Sequence, residues 1–255
     1  MKRQADRDIV VCGVSAVTAV FKRHPSVVEK LYFDDSAARA MALWCGYLSG
    51  ARKPFRKVSA SELERIAATV HHGGVAAVTR RPPPAAPTLQ DAARWKRRGQ
   101  PVLLLDRIGN PHNLGAIVRS AAFFGVPTVV VPDHPEQAMP SSAVYRVAEG
   151  GMEYVDFRVV RSLAAFCGQL ARDFTLMGTA VHGGEAIDLR APAGTRELPA
   201  ALVLGNEETG LDGEVAAACR RLIRIPGTGV VESLNVSAAA AVLLAWLAGR
   251  AVAKV

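Results

Sequence analysis

Short apolar runs alternate with amphipathic stretches along the chain, and a proline-rich segment divides them into two sets. In the first set, residues 9–12 read as a strand, and Gly13 leads into a helix with Val17, Val20 and Phe21 on its apolar side. Residues 27–33 give a second strand. A helix over 37–48 follows and places Ala38, Met41, Ala42 and Cys45 on one stripe. Residues 55–58 are a third strand. Ser59 or Ser61 then caps a helix with Glu62 and Glu64 in its first turn, where the helix dipole favours acids. Residues 75–78 close the set, and strands alternating with helices predict a small α/β layer.

The second set opens with a strong strand at 102–105, a loop over 106–113, a helix at 114–124 with Asn113 as its N-cap, and a strand at 128–131. That is a βαβ unit. Further strands are expected at 155–159, 176–181, 202–204 and 222–225, with helices at 162–172, 213–219 and 234–247. The pattern predicts a mostly parallel sheet covered by helices on both faces. Between the sets, Arg81-Pro-Pro-Pro-Ala-Ala-Pro87 is a semi-rigid linker. It runs into a short helical pattern at 90–98 that ends in Arg94, Trp95, Lys96, Arg97 and Arg98. Those residues either touch phosphates and stack on a base, or form a solvated hinge with Trp95 packed on the next domain. The expected division is 1–80, a linker at 81–99, and 100–255.

Composition sharpens the division. Residues 1–100 hold 18 Lys and Arg against 8 Asp and Glu, a balance of +10, whereas residues 101–255 hold 13 against 15, a balance of −2. A basic front half suggests a polyanion partner there and different work behind. Half the residues are hydrophobic, which excludes a disordered chain. The four cysteines are far apart, with no CxxC pair and no histidine at ligand spacing, so the expectation is a reduced, cytoplasmic protein without a metal. The charged start lacks the apolar core of a signal peptide. The uncharged run at 233–249 is short for a bilayer and reads as a buried helix, so no membrane partner is expected.

Three constellations carry candidate chemistry. In the first, Asn113, Gly115 and Arg119 open a helix whose other residues are apolar, and a charge there needs a partner or a task. The second is Gly205-Asn206-Glu207-Glu208-Thr209-Gly210, which follows a buried strand and matches neither a P-loop nor the GxGxxG of dinucleotide binders. This disfavours a nucleotide-dependent oxidoreductase. The third joins Ile225-Pro-Gly-Thr-Gly229 to Ser233-Leu-Asn235, which offers neutral hydrogen-bonding groups at the mouth of the terminal helix. Either loop alone also reads as a plain turn with a helix cap.

In this order, Asn113-x-Gly115-x-x-x-Arg119, Leu204-Gly205-x-Glu207-x-x-Gly210 and Ile225-Pro226-x-x-Gly229-x-x-x-Ser233-Leu234-Asn235-Val236-Ser237 resemble the SpoU/TrmH-class RNA ribose 2′-O-methyltransferases of the SPOUT superfamily. Residues 9–80, with Gly13-Val-Ser-Ala-Val17 and His71-His-Gly-Gly-Val-Ala76, are more loosely similar to that family's ribosomal-protein-like substrate-binding domain. The resemblance implies a C-terminal α/β domain with a deep trefoil knot, an exception to the rule that chains do not thread loops. It also implies S-adenosyl-L-methionine (AdoMet) as cofactor, an RNA substrate with rRNA favoured over tRNA, and a homodimer. By motif position, Arg119, Glu207, Ser233, Asn235 and the supporting Asn113 would be catalytic. Leu204, Gly205, Ile225, Gly229, Leu234 and Asn235 would meet the cofactor. No metal is called for. Arg52, Lys53, Arg56, Lys57, Arg94, Lys96, Arg97 and Arg98 are the candidate phosphate contacts. The competing expectation is a non-catalytic RNA-binding or ribosome-assembly factor that keeps the fold.

Overall fold

A computed structural model of the chain describes residues 7–190 and 199–252. In chain order the elements begin β1 (Arg7–Cys12), α1 (Val14–Arg23), β2 (Val28–Phe33), α2 (Ala38–Gly50), β3 (Phe55–Lys57), α3 (Ala60–Ala67), β4 (Val75–Arg81) and α4 (Leu89–Arg97). They continue β5 (Val102–Leu105), α5 (Pro111–Phe123), β6 (Thr128–Pro132), α6 (Ser142–Ala148), β7 (Asp156–Val160), α7 (Leu163–Leu170) and β8 (Thr175–Thr179). The last are β9 (Glu185–Ala186), β10 (Ala200–Leu204), α8 (Gly213–Ala218), β11 (Arg221–Arg224) and α9 (Val236–Val252). Two compact units result: Met1–Pro83 with Pro140–Tyr154, and Pro84–Met139 with Val155–Val255.

The first unit is a four-stranded sheet in the order β1-β4-β2-β3. β1 and β2 run antiparallel to β4, and β3 lies parallel to β2 at the edge. Gly13 makes the turn from β1 into α1 at φ 93°, a conformation glycine takes without strain. Ser59 is the cap of α3, its hydroxyl accepting from the Glu62 amide at 3.2 Å. α3 packs with Cys12, Val58 and Ala76 in one apolar cluster. Phe21 of α1 stacks on Trp44 of α2 with centroids 4.9 Å apart.

The hydrophobic pattern assigned no element to residues 140–154, yet α6 and a following 3-10 turn (Gly151–Glu153) complete this unit. The Val10 amide donates to Ser142 Oγ at 3.2 Å, and Arg146 donates to Thr69 Oγ1 at 2.8 Å. Arg81 Nη2 meets the fully buried carboxylate of Glu153 at 2.8 Å, with its guanidinium 5.1 Å from the centroid of the Tyr145 ring. Removing one partner of such a buried pair costs about 3–5 kcal/mol, because the other charge stays buried.

The second unit is a seven-stranded sheet in the order β7-β6-β5-β10-β8-β11-β9, and every ladder in it is parallel. Its central strands are continuous apolar runs, as burial on both faces requires. Val102 and Leu104 join a core with α4, α7 and α8, while alternation sends Leu103 and Leu105 to the opposite face. α9 packs against α5. No helix among the described residues is long and apolar enough to cross a membrane.

The segment expected as a linker holds a packed helix. Thr88 and Asp91 form a reciprocal capping box at the start of α4, and Trp95 is buried in the core of this unit. Upstream, the Ala85 carbonyl accepts from the Val159 amide at 3.2 Å on β7, the sheet's outer strand. The polyproline segment thereby satisfies part of an otherwise open edge.

Candidate active site

Because β5, β10, β8 and β11 are adjacent and parallel, the loops that follow them leave the same edge of the sheet. Ligands bind at that edge in open α/β sheets. The sequence pointed to three of these loops. The fourth, at Thr179 and Ala180, falls between them because β8 lies between β10 and β11; the Ala180 amide donates to the Ile223 carbonyl at 2.9 Å. Its signal was Gly178 inside a strand, where a Cβ would lie 2.7 Å from Leu211 Cδ1 and 2.9 Å from Cys219 Sγ.

The loop after β10 is a tight turn. Asn206 and Gly210 exchange backbone hydrogen bonds of 3.0 Å, and Asn206 Oδ1 accepts from the amides of Glu208 and Thr209 at 2.9 and 3.0 Å. Gly205 is required here. A Cβ on it would lie 2.5 Å from the Gly210 carbonyl carbon and the Leu211 nitrogen. The turn leaves Glu207 exposed at its crest. Just before the site, the loop after β5 carries Arg107 in the left-handed region at φ 57°, a conformation that disfavours side chains by roughly 1–2 kcal/mol.

The N-cap of α5 is Asn110, not Asn113 as expected: Asn110 Oδ1 accepts from the His112 amide at 2.8 Å, and Pro111 occupies the first helical position. Proline supplies the helical φ and has no amide to satisfy, so the helix begins three residues earlier. Asn113 is thereby released for other contacts. Its Nδ2 donates to Glu207 Oε1 at 2.6 Å, and its Oδ1 accepts from Asn235 Nδ2 at 3.2 Å. Asn235 Oδ1 in turn accepts from the amide and hydroxyl of Ser237 at 2.9 and 2.6 Å at the start of α9. A carboxylate can only accept and an amide N–H can only donate, so the two ends of this chain fix the orientation of both asparagines.

Arg119 is exposed on α5, about 9 Å along the helix and roughly 120° around it from Asn113. Ser233 and Leu234 are exposed in the loop before α9. Among the cofactor candidates, Leu204 and Gly205 are buried, and the Leu204 carbonyl accepts from the Asp106 amide at 2.8 Å. Ile225 is half-buried, while Gly229, at φ 82°, and Leu234 border open space. A loop of glycines and aliphatic side chains suits a flat heterocycle held largely through backbone groups.

The basic candidates differ in their engagements. Lys53 Nζ spends its donors on the carbonyls of Ser26 and Val28, at 2.7 and 2.6 Å, and on Glu29 at 3.2 Å. Arg56 pairs with Glu62, Lys57 with Asp35, Arg94 with Asp91 and Lys96 with Asp173. Arg52, Arg97 and Arg98 are exposed.

A model of the SpoU rRNA methylase family matches residues 100–245, and one of the RNA 2′-O ribose methyltransferase substrate-binding domain matches residues 10–85. The chain belongs to the SpoU rRNA methylase family. It is 33% identical over 242 residues to the 23S rRNA (guanosine-2′-O-)-methyltransferase RlmB of Nitrosomonas europaea, covering 92% of this chain and 88% of that one. To the RlmB of Pseudomonas aeruginosa it is 34% identical over 241 residues, covering 92% and 93%. Among solved structures, a TrmH-family protein from Porphyromonas gingivalis superposes with a TM-score of 0.74 at 25% identity, covering 95% of this chain and 90% of that one. The fold is also that of the SpoU methyltransferase AviRb from Streptomyces viridochromogenes, solved with AdoMet, with a TM-score of 0.75 at 23% identity over 96% of this chain and 91% of that one.

Proposed function

We propose that this protein transfers a methyl group from AdoMet to the ribose 2′-hydroxyl of a guanosine in 23S rRNA. The observation that carries the reading is the hydrogen-bonded chain Glu207–Asn113–Asn235, which draws the three sequence constellations to one edge of the sheet. RlmB relatives that match over both units support the choice of RNA.

Bound AdoMet supplies an electrophilic methyl group. The protein's task is to hold a poorly nucleophilic hydroxyl in line and to manage its proton. Ile225, Gly229, Leu234 and Asn235 would hold the cofactor, with Leu204 and Gly205 framing the turn beside it. Glu207, fixed by Asn113, orients the substrate or the Arg119 guanidinium, and Ser233 and Asn235 offer neutral hydrogen bonds. A guanidinium is a fixed cation, so the role of Arg119 is to hold phosphate and hydroxyl and to stabilise developing alkoxide charge.

A homodimer belongs to the reading. Phe123 of α5 is 81% exposed and Val230 is 87% exposed, and a second copy would cover such apolar side chains beside the site. So does the family's deep trefoil knot at the C-terminus. The basic front half, with Arg52, Arg97 and Arg98, supplies salt-dependent RNA affinity.

The test is methyl transfer from labelled AdoMet to unmodified 23S rRNA, with nuclease mapping of the product. Label in a 2′-O-methylguanosine, lost in Arg119→Ala while AdoMet affinity is kept, is the expected result. Normal turnover by that variant, or label on a base, overturns the assignment.

A further inference from the structure

Arg107 reaches the turn of Glu207 by two routes. Its carbonyl accepts from Asn206 Nδ2 at 2.7 Å, and its Nη2 donates to the Gly210 carbonyl at 3.3 Å. Asn206 and Gly210 are the two ends of the turn, and Glu207 lies between them. The guanidinium is itself braced: Nε and Nη2 donate to the two carboxylate oxygens of Asp106, each at 3.1 Å. Asp106 is buried, and its Oδ2 also accepts from the Asp212 amide at 2.6 Å, just beyond the turn. Five hydrogen bonds therefore run from two consecutive residues into one another and into positions 206, 210 and 212.

A glycine would take the left-handed backbone of Arg107 without strain. An arginine there accepts strain, and what it adds is the fork onto Asp106 and the bond to Gly210. Strained side-chain-bearing residues of this kind concentrate where geometry serves function. We propose that Arg107, braced by Asp106, is a positioning residue that sets the direction of the Glu207 carboxylate by gripping both ends of its turn. This inference rests on the methyltransferase reading of the site. Arg107 acts on Glu207 through Asn206 and Gly210, and so on the hydrogen bond between Glu207 and Asn113.

Arg107→Gly relieves the backbone and removes the guanidinium grip, leaving the buried Asp106 carboxylate without its partner, so positioning is read from kcat and the Asn113 resonance rather than from Tm. The expected result is a Tm lowered by the loss of the buried Asp106's partner, partly offset by the relieved backbone, and a kcat lowered about 10- to 100-fold, as for a misaligned reactive group. AdoMet affinity and the KM for RNA stay within about two-fold, the pattern of a group that acts in the transition state. The side-chain NH2 resonance of Asn113 shifts, since its hydrogen bond to Glu207 is disturbed. Arg107→Lys cannot form the fork and does not restore kcat. A kcat of Arg107→Gly within about two-fold of wild type overturns the proposal. So does an unmoved Asn113 resonance, or AdoMet binding weakened along with kcat, which marks a purely structural role. Wild-type protein that methylates no RNA sinks the activity reading, whereas the Asn113 resonance still reports on the grip by itself.

Discussion

Asn113 Nδ2 and Glu207 Oε1 lie 2.6 Å apart across 94 positions of sequence, and the same amide accepts from Asn235. One side chain thus joins the loops after three strands.

A double-mutant cycle measures that joint. Asn113→Ala and Glu207→Gln should each lower kcat more than they raise KM. Together they should lose less than the sum, with a coupling of about 0.5–1.5 kcal/mol, at the lower end for neighbours because Glu207 is exposed. Strict additivity would mean that the bond carries no part of the activity.

Gly205→Ala tests the turn. The added methyl would meet the backbone of Gly210 and Leu211, which has no flexible end to swing away. We expect about 2–4 kcal/mol of destabilisation in urea, or a shifted turn with lost methyl transfer. A variant as stable and active as wild type would contradict the close approach seen here.

Lys53 and the Arg97–Arg98 pair should separate in salt titrations of RNA binding. Replacing Lys53 by Met leaves backbone carbonyls unsatisfied and should destabilise by about 1–2 kcal/mol, with the salt slope unchanged. Arg97→Ala should change stability little and reduce the slope by about 0.7–0.9 if it meets a phosphate.

The thiols set an alkaline limit. Burial raises the Cys167 thiol to about 12, and those of Cys12 and Cys219 to about 11, from an ordinary value of 9.0. Above pH 9 the unfolded chain releases these protons while the folded chain keeps them, so stability falls as pH rises through 9 to 11. Urea midpoints at neutral pH and near the upper end of this window should show the loss, and Cys167→Ala should lessen it. In the acid direction the sign reverses for Asp91. The Thr88 amide holds its carboxyl below the usual value, so the anchor of α4 is complete at neutral pH and is lost as pH falls through that lowered value.

A fragment ending at Pro83 should fold poorly, since it lacks Ser142, Arg146 and Glu153 and leaves Arg81 without its buried carboxylate. Adding a peptide of residues 140–154 in trans should raise its urea midpoint. A fragment as cooperative as the intact chain would show that the segment is dispensable.

The strands of the second unit were legible because parallel strands buried on both faces are unbroken apolar runs, as at Val102–Leu105 and Thr128–Pro132. Helix starts were harder. Two asparagines three residues apart could each cap α5, and the choice turned on Pro111, whose missing amide makes it a good first residue. α6 was missed because Val144, Tyr145 and Ala148 are buried within a unit whose other residues end at Pro83. Nor does charge counting reveal that Lys53 has spent its donors while Arg97 is exposed. The three constellations were readable in order, but the asparagine that joins them owes its contacts to tertiary geometry.

The segment at 140–154 also bears on how the chain is made. The first unit cannot be completed until Tyr154 has left the ribosome, and by then β5, α5 and β6 of the second have already been synthesised. Vectorial, domain-by-domain folding during translation is the general habit of multidomain chains. Here the N-terminal sheet must wait, with Arg81 and the binding site for α6 open, while part of the second unit is made, so the nascent chain should depend on holding chaperones until residues 140–154 emerge.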